Sequence, residues 1–210
     1  MTRPNLHPRL LRVPRPGEKR LAVRVTPDAL RHIRAGHPWV FEESVTSISH
    51  EAATGDLGVI FDNDRKFVAL ALYDPDSPIQ FRILHVGKPT PIDGDWWHAI
   101  IRSALDLRVS FTSDPDAAHL AYRILNGEND GVSGLVVDRY ADVLVVKLYS
   151  AVWFPHLVKV VNALLDTTGC SGVVLRLARN LQARETFGLH DGDVIAGQVP
   201  DGPVRFLEAG

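Results

Sequence analysis

The sequence predicts an α+β protein of two modules. Three observations carry that prediction. Short strand-like segments crowd around one short helix between residues 21 and 87. The stretch Gly87-Lys88-Pro89-Thr90-Pro91 then breaks the pattern as a linker would. Beyond residue 120, strand-like segments surround a single apolar helical pattern.

Residues 1–20 contain Pro4, Pro8, Pro14 and Pro16 and show no apolar period, so a basic flexible arm is expected. Leu21-Ala22-Val23-Arg24-Val25 alternates as a strand does. Thr26 can cap a helix, and Pro27 suits its first turn. Leu30 and Ile33 then point inward, Arg31 and Arg34 share an outer face, and Gly36 ends the helix. Pro38 pushes His37 away from helical geometry, so residues 37–41 leave as extended chain. Strand patterns follow at 58–61, 67–73 and 79–84, with turns between them, which suggests a small mixed barrel.

A helix is expected at 96–109 and a turn at Ser113-Asp114-Pro115-Asp116. The second module reads as strands near 121–126, 134–139 and 142–148, a helix near 152–167, and a strand near 172–177. Spaced glycines make the tail strand and turn. The expected division is an arm at 1–20, the barrel at 21–87, linker and helix at 88–119, and the second module at 120–210.

Composition bounds the function. With 45% apolar and 23% charged residues in 210, the chain reads as globular. Cys170 is the sole cysteine, which rules out an internal disulfide and a cysteine-based metal cluster and fits a cytoplasmic location. A part-buried, unreactive thiol is its plainer reading, since no basic partner lies near it in sequence. No apolar run is long enough to cross a bilayer. The net charge of −2 hides an asymmetry: nine Lys/Arg among the first 34 residues face only Glu18 and Asp28. A basic segment on an acidic body suits a polyanion partner, or is a soluble tail. Arg20, Arg24, Arg31 and Arg34 are the candidate phosphate contacts, with His37 beside them as a packing or contact residue. Trp39 and Phe41 either stack on bases or belong to the barrel core.

The run from Tyr122 to Tyr140 is the most distinctive segment. It joins two strand patterns through a loop with Gly127, Gly131 and Gly134, the carboxylates Glu128 and Asp130, and Asn126. Glycine permits backbone conformations that other residues avoid, so this loop is shaped as well as polar. Glu128 and Asp130 could serve general acid/base chemistry, or bind loop amides or a neighbouring domain. Asp138-Arg139 reads as a local ion pair. The sequence holds no GxGxxG after a strand, no GxxxxGK[ST], no GxSxG and no CxxC, and no catalytic centre or metal site is expected from these residues.

Residues 29–41, from Ala29 to Phe41, resemble the opening of a PUA domain, a small RNA-binding pseudo-barrel. Tyr73-Asp74-Pro75-Asp76-Ser77-Pro78-Ile79 followed by Arg82 resembles that domain's closing segment in one family. Arg123, Asn126-Gly127-Glu128, Asp130-Gly131, Gly134-Leu135 and Val137-Asp138-Arg139-Tyr140 resemble the same family's next domain. The family is the bacterial 23S ribosomal RNA large-subunit methyltransferases that modify cytosine at carbon 5 and carry an N-terminal PUA domain. Ser133 stands where a proline is usual, and Asp74 where an asparagine is usual.

The resemblance implies a PUA-like pseudo-barrel, then a strand-strand-helix-strand-strand α/β sandwich domain, then an S-adenosylmethionine-binding Rossmann-like catalytic domain. That third domain is expected to be absent here, and Cys170 does not inherit the family's nucleophile. The chain is therefore expected to be the RNA-recognition part of a methyltransferase, inactive alone and without a cofactor of its own. Its expected partners are ribosomal RNA and the missing catalytic domain, with no membrane; a homodimer is left open. Asn126, Glu128, Asp130 and Asp138 are expected to form a domain-interface loop. A stand-alone RNA-binding PUA protein is the alternative.

Overall fold

Alternation in strand β1 (Leu21–Val25) turns Leu21, Val23 and Val25 inward and leaves Ala22 exposed. A computed structural model describes residues 5–108 and 121–206, and β1 lies inside its first sheet. Helix α2 (Pro27–Arg34) follows as the capping pattern requires: the Thr26 side chain accepts from the Ala29 amide, and Pro27 opens the first turn. Its buried residues are Ala29, Leu30 and Ile33. Gly36, at φ +92, lets the chain leave in a conformation that disfavours a side chain.

The remaining strands of this sheet are β2 (Trp39–Phe41), β3 (Val45–Ile48), β4 (Leu57–Phe61), β5 (Phe67–Tyr73) and β6 (Ile79–Val86). Their order is β2-β6-β5-β4-β1-β3. All neighbours are antiparallel except β1 and β4, which are parallel. Strand β5 explains how the modules meet. Its residues from Val68 to Leu72 are all buried. Ala69 and Ala71 join Phe81, Ile83, Leu30 and Ile33 in the first module's own core. Leu70 and Leu72 point the other way and join Leu84 in the core of the second module. A strand buried on both faces reads as a continuous apolar run, which is what the sequence shows.

The second sheet contains β7 (Ala121–Asn126), β8 (Leu135–Tyr140), β9 (Val143–Leu148), β10 (Gly172–Leu177) and β11 (Val194–Gly197), in the order β11-β10-β9-β8-β7. Strands β9 and β10 are parallel; the rest are antiparallel. Helix α4 (Leu157–Thr168) makes the crossover between β9 and β10, as a parallel pair requires. Helix α4 buries Leu157, Val160, Val161, Leu164 and Leu165, and helix α3 (Gly94–Asp106) packs beside it with Trp96, Trp97, Ile101 and Ala104 buried. Both bury these residues in one core with Leu135, Val137, Val146, Leu148, Val173 and Leu175 of the sheet.

Two expectations need correction. The second module is not strand-strand-helix-strand-strand: three strands precede α4 and two follow it. The strands expected at 134–139 and 142–148 are both present, as the hairpin β8–β9 joined at Ala141 and Asp142, so the module has one strand more than that label allows. The helix expected at 96–109 is present as α3, which contributes two tryptophans to the shared core; residues 109–120, with the expected turn at Ser113–Asp116, lie outside the described residues. The N-terminal stretch is not a free arm from Asn5 onward. Pro8 takes the first position of helix α1 (Pro8–Arg12), where its missing N–H costs nothing. Leu10 is fully buried, and His7 donates its backbone N–H to the Ile195 carbonyl at 2.8 Å. Prolines mask this short apolar spacing in the sequence. Further on, Asp56 is buried and accepts from the Gly17 amide at 2.6 Å and the Ala53 amide at 2.9 Å.

His156 ties the two modules at depth. Its Nε2 lies 2.8 Å from the Gly55 carbonyl oxygen, and the residue is 1% exposed against Trp97 and Trp153. Burial pushes its pKa down from 6.5 to about 4. The unfolded chain therefore takes up this proton before the folded one, and stability falls as pH drops from about 6.5 toward 4. A shift of this size is roughly 3 kcal/mol when fully expressed. His156→Gln keeps a donor for Gly55 without titrating. The wild type should lose more melting temperature than this variant between pH 7 and pH 4.5; parallel losses would rule the group out.

Candidate nucleic-acid interface and the loop joining the sheets

The outer face of α2 presents Arg31 and Arg34, 72% and 55% exposed at their side chains. Neither is unpaired. Arg31 lies 2.5 Å from Asp28 one turn earlier, and Arg34 donates to Asp62 at 2.9 Å across from the β4–β5 turn. Arg24 donates to the Asp62 backbone carbonyl, while Arg20 is exposed at the end of the segment before β1. The Arg31 hydrogen bond holds the Asp28 carboxyl below the usual carboxylate range. Asp62 is held low first by the Lys66 amide, and also by the Asp64 amide and Arg34. The structure thus gathers Arg24 and Arg34 around Asp62, a grouping that sequence reasoning missed because residue 62 is remote in sequence from both. Any phosphate must compete with these carboxylates.

His37 sits beside this cluster. The Trp39 amide donates to its Nδ1 at 3.3 Å, and its ring lies edge-on to His32 and Trp39, with centroids 5.9 Å apart in both pairs. Alternation in β2 turns Val40 inward and leaves Trp39 and Phe41 half-buried on the other face. Neither aromatic is a barrel-core residue.

Trp39 instead reaches the loop of the second module. Its indole N–H lies 2.7 Å from Ser133 Oγ and 3.3 Å from Glu128 Oε1. Ser133 Oγ donates to Glu128 Oε1 at 2.8 Å and accepts from Arg82 Nη1 at 3.1 Å. Ser133 and Arg82 are both buried, and burial pulls the Arg82 guanidinium below its usual pKa against the opposing pull of Asp74 and Glu128. Asp130 turns away from this seam. Its side chain is 4% exposed, accepts the Asn126 amide at 2.6 Å, and pairs with Arg108 at 2.7 Å. The Asn126 side chain accepts from Arg123, which also grips Asp138 at 2.8 and 3.3 Å. So the four loop candidates divide: Glu128 bridges the sheets, Asp130 shapes the loop and holds α3's end, and Asn126 and Asp138 bind Arg123.

Gly127, Gly131 and Gly134 all have positive φ, at 55, 74 and 79. A second seam was missed entirely: Arg184 pairs with Asp74 at 2.8 Å and Asp76 at 3.1 Å, so the carboxylate at position 74 has a partner that an asparagine could not pair ionically. Cys170 is buried, and burial pushes its thiol pKa up, away from nucleophile behaviour. Among the described residues no group of three metal-ligating side chains assembles, and no helix is long and apolar enough to cross a membrane.

Residues 23–85 match the PUA-like domain family. Over 198 residues the chain is 46% identical to a ribosomal RNA large subunit methyltransferase of Deinococcus radiodurans, covering 91% of this chain and 48% of that protein. The chain is homologous to ribosomal RNA large subunit methyltransferases. A ribosomal RNA large subunit methyltransferase I of Alteromonas mediterranea is 33% identical over 138 residues, 66% of this chain and 34% of its own length. The chain thus spans about half the length, or less, of the curated relatives it matches. By structure it resembles a putative SAM-dependent methyltransferase from Streptococcus mutans, with a TM-score of 0.68 at 14% identity over 85% of this chain and 44% of that one. A putative methyltransferase complexed with SAH gives 0.65 at 12% identity, over 87% and 43%.

These likenesses correct two expectations. The chain does not stand apart from the methyltransferase fold: 85% of it superposes on the putative SAM-dependent methyltransferase chain. The expectation that the chain alone is inactive, and carries no cofactor chemistry, falls with it, since the sequence relatives that cover most of the chain are themselves methyltransferases.

Two tests follow from the loop. Gly134→Val should cost more stability than Gly131→Val. Both strain a left-handed backbone by roughly 1–3 kcal/mol, but a Cβ at Gly134 also comes 3.2 Å from the Ser150 Cβ, while Gly131 has open space. Equal melting temperatures would contradict this geometry. Ser133→Ala removes the shared acceptor of Trp39 and Arg82 and should destabilise by roughly 1–3 kcal/mol in chemical denaturation. No loss would show the seam to be energetically neutral.

Proposed function

We propose that the protein takes part in S-adenosylmethionine-dependent methylation of large-subunit ribosomal RNA in the cytoplasm, with cytosine carbon 5 as the accepting position. The observation that carries this reading is the 46% identity to a ribosomal RNA methyltransferase across 91% of the chain. The PUA-like module, residues 21–87, holds the RNA. Arg20, Arg24, Arg31, Arg34 and His37 form its contact face, with cations around the exposed α2 helix. The module at 120–210 sets the RNA against the reacting groups, and the Asn126, Glu128, Asp130 and Asp138 loop fixes its pose on the first module.

S-adenosylmethionine supplies the methyl group in this chemistry. The β9–α4 turn, residues 149–156, does not fit an adenosine: it contains no glycine, and Ala151, Val152, Trp153, Phe154 and His156 fill it as buried side chains.

The Asp28 and Asp62 pairings shape the test. Phosphate oxygens displace carboxylates from Arg31 and Arg34, with counterion release from the RNA. An Arg31→Ala/Arg34→Ala double variant should weaken binding to a ribosomal RNA fragment and flatten the log–log salt slope by roughly two units. Unchanged affinity and slope would remove α2 from the RNA interface.

A further inference from the structure

Helices α3 and α4 pack against one face of the second sheet; residues of the other face stay partly exposed. On that face the register places Val136, Lys147 and Arg176 in one row, and Arg123, Asp138, Val145 and Val174 in the next. At its end, β7 and β8 open into a recess of ≈ 410 Å³ bounded by Tyr122, Arg123, Asp138, Arg139, Tyr140 and Phe206. Tyr140 and Phe206 meet edge to face with centroids 5.3 Å apart, and Phe206 is 44% exposed. The Arg123 side chain is half-exposed, but the edge of its guanidinium is already held by Asp138 and Asn126.

We propose that this recess stacks an unpaired nucleobase of single-stranded RNA. The inference rests on the RNA reading above and adds a second contact, remote in sequence from α2. The chemistry favours a base over a phosphate. A guanidinium whose N–H groups are committed to a carboxylate has its charge compensated, yet its flat face can still stack. Aromatic side chains beside it offer the same kind of surface, which every base can use. Lys147 and Arg176 on the adjoining strands suit the backbone that follows such a base; Arg176 also pairs with Asp191 at 2.8 Å, and Lys147 lies 4.9 Å above the Tyr149 ring. The two contacts thus differ in kind: α2 acts through charge, the recess through stacking.

The test uses the full chain and a short fluorescein-labelled single-stranded RNA, intact or with abasic nucleotides. Tyr140→Ala and Phe206→Ala should each weaken binding to the intact RNA by roughly tenfold. The salt slope should not change, Tyr140→Phe should restore affinity, and abasic RNA should bind wild type and both alanine variants alike. Phe206→Ala lies outside the sheet, so it remains informative if Tyr140→Ala does not fold. Wild-type affinity in both alanine variants, with the Arg31/Arg34 double variant still impaired, would overturn the recess and leave the RNA reading standing. Failure of the wild type to bind RNA would overturn both. Loss of a wild-type dimer in Tyr140→Ala, with RNA affinity unchanged, would assign the face to a second copy of the chain and overturn the stacking site.

Discussion

Ser133 Oγ holds three groups at once: it donates to Glu128 and accepts from Trp39 and Arg82. The first sheet supplies Trp39 and Arg82; the second module supplies Glu128 and Ser133 itself. Buried polar atoms are costly when unpaired, so this junction tolerates little relative movement of the sheets. The Arg184 contacts with Asp74 and Asp76, and the His156 contact with Gly55, sit on the same boundary. Around these polar points, Leu70, Leu72 and Leu84 of the first sheet fill the core of the second. The apolar contacts supply most of the cohesion; the polar ones fix the register, because they satisfy each other only in one arrangement.

That arrangement bears on the proposed RNA contact. A PUA-like module joined by a loose linker would sample many orientations. Here the α2 face and the open end of the second sheet belong to one framework, so RNA spanning both would be read at a fixed separation. The cations of α2 are also held back. Asp28 and Asp62 occupy Arg31 and Arg34 in the protein alone, and such exposed pairs are weak enough to exchange for phosphate. The pairing positions the side chains and, being exposed, weakens as salt rises.

Much of the first module was legible because its rules are local. Thr26-Pro27 announces a helix start, Gly36 its end, and alternation in residues 21–25 a strand with one buried face. The unbroken run from Val68 to Leu72 looked like an ordinary strand, although its two buried faces were the mark of a second packing partner. The loop was legible as a shaped turn from its glycines, but its partners were not. Glu128 and Asp130 looked like a pair. They point to different places because the short 3₁₀ turn at Gly127–Asp130 sends one toward Trp39 and the other toward Arg108. The N-terminal segment failed as a reading because prolines suggested disorder, while Leu6, Leu10 and Val13 found a hydrophobic site that exists only once the second module has formed.

The periodic elements and the shaped glycine positions can be read from the chain alone, because hydrophobic alternation and backbone sterics act over a few neighbouring residues. So can the fact that a single cysteine supplies no disulfide. Which charge meets which emerges with packing: Arg34 with Asp62, Arg108 with Asp130, Arg123 with Asp138, Arg184 with Asp74. These partners are separated by 15 to 110 positions in the chain. Electrostatic and hydrogen-bond energies depend on distance through space, and only the packed sheets set those distances.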